Sequence, residues 1–89
     1  MTIEEIKERI RLADYPEAIA VLDEYIAAHP DDDEALTVRG LRHWGASKRS
    51  LAINDFLAAI RLNPESRAKE ALKAANEVLD FYNKDLFNP

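Results

Sequence analysis

Cysteine is absent from the 89 residues, which removes disulfide frameworks, thiolate nucleophiles and cysteine-based zinc or iron–sulfur sites. Glycine is nearly absent too. Two Gly and four Pro leave no glycine-rich phosphate loop and few points at which a helix must stop. The two histidines, His29 and His43, have no Cys or second His at metal-ligand spacing. No run approaches the roughly 18 apolar residues of a membrane span, and charges from Glu4 onward interrupt any signal-peptide core. The expectation is a cytoplasmic protein with no cofactor, no metal site and no catalytic machinery.

What is present favours helices. The chain is 47% hydrophobic and 33% charged, rich in Ala, Leu, Ile, Glu, Lys and Arg, the residues that lose least on entering a helix. Its length makes one small domain, which favours local contacts between neighbouring helices over a large catalytic cleft. The net charge of −5 is unevenly spread. Residues 1–34 carry three basic and eleven acidic side chains, a net −8; residues 35–64 carry +4 and the remainder −1. Nucleic acid is disfavoured, because the total is acidic and no aromatics interleave the basic block to stack bases.

Comparison of the chain with itself exposes a fixed offset of 34. Ala18 matches Ala52, Ile19 matches Ile53, Leu22 matches Phe56, Ile26 matches Ile60 and Pro30 matches Pro64. Self-similarity at such a period indicates stacked repeats. Within the second unit, Leu36, Arg39, Gly40 and His43 precede Ala52, Phe56, Ala59 and Pro64. This spacing resembles the tetratricopeptide repeat (TPR) family, whose pattern is an aromatic, Leu-Gly and Tyr, then Ala, an aromatic and Pro. Leu36, Arg39 and His43 depart from it in residue type. The first unit offers Thr2, Glu5, Ile6 and Arg9, a degenerate first helix, before Ala18, Leu22 and Pro30 restore the pattern.

The resemblance implies an all-α, TPR-like right-handed superhelix of antiparallel helix pairs, similar to short bacterial members. It divides the chain into repeat one (1–32), repeat two (33–66) and a capping helix with an aromatic tail (67–89). Five helices are expected, near 3–12, 15–28, 33–45, 48–61 and 66–82. Thr2 with Glu5 and Asp14 with Glu17 have capping-box spacing, and Ser47 is the expected N-cap of the fourth helix. The small residues Ala18, Gly40, Ala52 and Ala59 mark helix crossings, with Leu22 and Phe56 filling the space beside them.

The resemblance also implies a protein-interaction module rather than an enzyme, binding a peptide or helix on a concave surface lined by the first helices of successive repeats. The offset aligns Ile3, Thr37 and Ala71, then Lys7, Leu41 and Ala75, then Ile10, Trp44 and Val78. Candidate contact residues are Lys7, Thr37, Leu41, Trp44, Ala75 and Val78. Trp44 either anchors a partner or packs against the last helix. The family's Lys/Arg/Asn carboxylate clamp is not recognisable, so a hydrophobic or helical ligand is expected. A homo-oligomer is the alternative, built through the groove, through the tail from Phe81 to Pro89, or by charge asymmetry. A weaker alternative is a nucleic-acid accessory protein.

Two further clusters have structural readings. Asp31, Asp32, Asp33 and Glu34 lack the spacing of a calcium loop and instead meet the positive end of the third helix. Arg39, Arg42 and His43, with Lys48 and Arg49, form either a solvated face or a patch that meets an acidic surface. His43 is expected to pack in place of the family's Tyr.

Overall fold

The computed structural model describes the backbone of residues 1–87 and the side chains of residues 1–81. It contains five helices: α1 (Ile3–Ile10), α2 (Tyr15–Ala28), α3 (Asp33–Gly45), α4 (Arg49–Leu62) and α5 (Ala68–Phe87). No strand occurs among the described residues, and no helix there is long and apolar enough to cross a membrane.

Side chains fix three of the helix starts. At α1, Thr2 Oγ1 accepts from the Glu5 amide at 3.2 Å while Glu5 Oε1 accepts from the Thr2 amide at 3.0 Å, a complete capping box. Asp14 accepts from the Glu17 amide at α2, with Pro16 in its first turn, and Asp32 accepts from the Ala35 amide at α3. Each such cap is worth about 1 kcal/mol.

The fourth start differs from expectation. Ser47 does not cap α4; its N-cap is Lys48, which makes no side-chain cap bond. Ser47 instead has φ of 63° and closes α3. The Lys48 amide donates to the His43 carbonyl at 2.8 Å and the Ser47 amide to the Trp44 carbonyl at 3.0 Å, the paired bonds of a Schellman stop. The left-handed position falls two residues beyond Gly45, so a serine occupies a conformation that usually selects glycine. The last helix also differs, starting two residues later than expected and running to Phe87.

Side-chain contacts define the order of packing. Tyr15 meets His43 and Asp23 meets Arg39, so α2 runs against α3. Asn63 reaches Asp33 and Phe56 faces Gly40, so α3 runs against α4. The start of α3 is joined to α1 by Lys7–Glu34 and to the entry of α5 by Glu34–Arg67. Helix α3 meets all four others. Two apolar clusters flank it: Ile6, Ile10, Ala18, Leu22, Tyr25 and Ala35 on one side, and Leu36, Ala52, Phe56, Ala59 and Ala68 on the other.

Candidate interaction surface

Because α3 is central, little of it reaches solvent: only Leu41 and Gly45 are exposed along its length. Thr37, a candidate contact residue, is 0% exposed. Its hydroxyl donates to the Asp33 carbonyl at 2.9 Å and lies 3.4 Å from Ser66 Oγ, which fixes the approach to α5. Ala75 is 2% exposed, because Ala68, Leu72, Ala75 and Leu79 recur at three- and four-residue spacing on the inner side of α5. Neither side chain is available to a partner.

Lys7 is half-buried and bonds to Glu34 and Glu4, while Arg67 Nε donates to both Glu34 oxygens at 2.8 and 3.1 Å. The Glu34 hydrogen bond is the main cause that raises the Lys7 pKa above its ordinary value. Burial alone would raise the Glu34 carboxyl, but the bonds from Arg67 and Lys7 outweigh it and hold it below its ordinary value. Lys7 therefore ties α1 to α3. Trp44 is half-buried against the second cluster, with the Arg49 guanidinium 5.6 Å from its ring centroid. Of the six candidates, Leu41 and Val78 remain exposed, each at 40%.

The six packing candidates Ala18, Leu22, Gly40, Ala52, Phe56 and Ala59 are all buried. Gly40 shows why small residues are needed there. A Cβ on it would lie 2.6 Å from Phe56 Cε1 and 2.8 Å from Cδ1, closer than side chains approach, and the Phe56 ring is itself enclosed.

Sequence reasoning missed a polar network through α2, α3 and α4. Arg39 donates from Nε and Nη2 to the two Asp55 oxygens at 2.9 and 2.7 Å, and from Nη1 to Asp23 at 3.0 Å. This two-pronged pairing satisfies a nearly enclosed carboxylate, and the Asp55 bond chiefly raises the Arg39 pKa. His43 Nε2 lies 3.7 Å from the same carboxylate, and its Nδ1 lies 2.7 Å from the Tyr15 hydroxyl. Burial lowers the His43 pKa, with Asp55 only partly opposing it. The direction of the Tyr15–His43 hydrogen bond follows the imidazole tautomer. Arg42 donates to the carbonyls of Ile10 and Ala13 and so caps the end of α1. The expected basic patch is thus mostly consumed inside the fold. A signal was present: Asp55 is the lone acid between residues 35 and 64, so its counter-ion belongs to that basic block.

An uncovered apolar region lies between α4 and α5. Ile53, Leu57 and Ile60 follow one another at i, i+4 and i+7 along α4, and Leu72 and Leu79 face them from α5. A cavity of about 430 Å³ opens at the Ile60–Leu72 end and one of about 330 Å³ at the Ile53–Leu79 end. Leu57, which shares the helical face of Ile53 and Ile60, is 41% exposed. Lys69, Lys73, Asn76, Glu77 and Asp80 form the α5 bank of the first cavity. The 34-residue offset marks Ile53 and Ile60 as repeat positions, which does not reveal that the face they share with Leu57 stays open.

No family model, curated protein or solved structure matches this chain.

No group of three His, Asp or Glu is placed to hold a metal ion among the described residues. Tyr15, His43 and Asp55 form a row that could in principle relay protons, but Arg39 neutralises the acid and the imidazole is buried among packed helices. The open groove carries Ile60 and Leu72 at its floor and Lys69, Lys73, Glu77 and Asp80 along its α5 edge.

Proposed function

We propose that the chain is a non-catalytic protein-interaction module of TPR-like, right-handed superhelical build, and that it receives an amphipathic helix of a protein partner between α4 and α5. The 34-residue offset, the antiparallel neighbours and the small residues at the crossings support the TPR-like reading. One observation carries the functional part: Leu57 is exposed on the α4 face that also bears Ile53 and Ile60, each of which lines a cavity together with a leucine of α5. The concave surface is a poorer receptor. Thr37 and Ala75 are buried in it and Lys7 is committed to Glu34.

Tagged protein used to capture partners from an extract of its source cells tests this reading. Leu57→Glu is expected to lose a polypeptide that wild type and Leu41→Glu both retain, with all three showing the same helix content. Loss with Leu41→Glu and retention with Leu57→Glu would place recognition on the concave side and contradict the proposal.

A further inference from the structure

The open face between α4 and α5 has an internal symmetry. Along α4 its residues are Ile53, Leu57 and Ile60; along α5 they are Leu72, Asn76 and Leu79. Both sets have the same spacing, and the helices run in opposite directions, with Ile60 beside Leu72 at one end and Leu79 beside Ile53 at the other. Leu57 and Asn76 therefore occupy the centre. A half-turn about an axis through that centre exchanges Ile53 with Ile60 and Leu72 with Leu79.

Charge follows the same symmetry with reversed sign. Lys69 and Lys73 lie on one side of Asn76, and Glu77 and Asp80 lie on the other. None of the four makes an ion pair among the described residues. Lys69 also stands in the first turn of α5, where a cation opposes the helix dipole, so the stability of α5 alone does not account for this order.

We propose that the occupant of this face is the same face of a second copy, the two α4–α5 pairs packing about a two-fold axis as a four-helix bundle. The inference rests on the groove reading above and names its partner. The half-turn runs the two α5 helices antiparallel, so the basic end with Lys69 and Lys73 lies over the acidic end with Glu77 and Asp80 of the second copy, within reach of the long lysine side chains, whereas a parallel arrangement would set like charges together. Asn76 meets its own counterpart on the axis, where each amide can donate to the carbonyl oxygen of the other. A central polar pair of this kind fixes register. Helix α4 spans about 21 Å, so two helices present roughly 400 Å² per copy, small for a permanent dimer and suited to a reversible one.

Sedimentation equilibrium of the purified full chain at low salt tests the proposal, over protein concentrations from about 5 to about 500 µM. The average mass is expected to rise toward twice the monomer value. Lys69→Glu with Lys73→Glu should weaken association at least tenfold. Adding Glu77→Lys and Asp80→Lys to the same chain should restore it, because opposite charges again meet across the axis. A monomer throughout, association indifferent to the double reversal, or a quadruple variant that does not recover would each overturn the second copy as occupant. If the wild type is monomeric yet retains another polypeptide in a Leu57-dependent way, only the second copy is overturned. If no Leu57-dependent retention is seen either, the groove reading falls with it.

Discussion

At the scale of single residues, two glycines of one helix make a paired test. Gly40→Ala places a methyl group against the enclosed Phe56 ring, and overpacking of about 1–3 kcal/mol outweighs the roughly 1 kcal/mol of helix propensity gained. Gly45→Ala meets nothing within 4 Å and should stabilise by up to about 1 kcal/mol. Urea midpoints moving in opposite directions would check both. Ser47→Gly should also stabilise, by about 1 kcal/mol, because it relieves a left-handed serine without touching a side-chain contact. His43 supplies a pH dependence. Its folded pKa lies below the unfolded value of about 6.5, so the unfolded chain binds the proton first and stability falls as pH drops from there. The other shifted groups act outside that range: Glu5 and Glu34 lie below their ordinary carboxylate values, and Tyr25 is pushed up to about 12 by its bond to Asp32. His43→Tyr should flatten the difference between unfolding at about pH 5.5 and about pH 7.5. The sequence marked Arg39 and His43 as departures from the repeat pattern. It did not reveal their partners, because Asp23 and Asp55 lie on neighbouring helices 16 residues to either side of Arg39.

At the scale of elements, α5 covers what α3 and α4 leave open. Ala68 completes the second apolar cluster, and Ala71 and Leu72 pack against it. Deleting the residues after Ser66 uncovers Leu36 and Phe56 and should abolish cooperative unfolding or cause aggregation; a soluble, fully helical truncation would contradict this role. Helix starts at Thr2 and Asp14 were legible, because each cap depends on residues within one turn, whereas the acidic run Asp31, Asp32, Asp33 and Glu34 marked the start of α3 without singling out Asp32. The rotation of α5 was not. Extending the 34-residue register put Ala75 on the concave surface, whereas the Ala68, Leu72, Ala75 and Leu79 stripe turns it inward. Each residue of error in helical phase is about 100° of rotation, enough to move a side chain from surface to core. The stop at Ser47 was misread for a related reason: serine fits an N-cap by chemistry, but here the preceding helix claims its backbone first.

At the scale of the whole molecule, the Cα envelope measures 51 × 29 × 17 Å, so the thin dimension leaves every helix with some surface. Which surface is free depends on how ion pairs and apolar stripes are shared among neighbours. Three of the expected basic-patch residues are spent inside the fold, and the acidic first block keeps its charges outward at Glu8, Glu17 and Glu24. Charge contact between those regions is therefore weaker support for a binding surface than the apolar face between α4 and α5, on which the proposed function rests. The most direct measurement is photo-crosslinking from a light-activated amino acid placed at Leu57, with the same group at Leu41 and at Glu8 as references. Crosslinks to a polypeptide, whether another protein or a second copy, that form from position 57 and not from 41 or 8 are the predicted result. Equal crosslinking from all three positions, or crosslinking from 41 alone, would contradict the claim that this chain works through the groove between its last two helices.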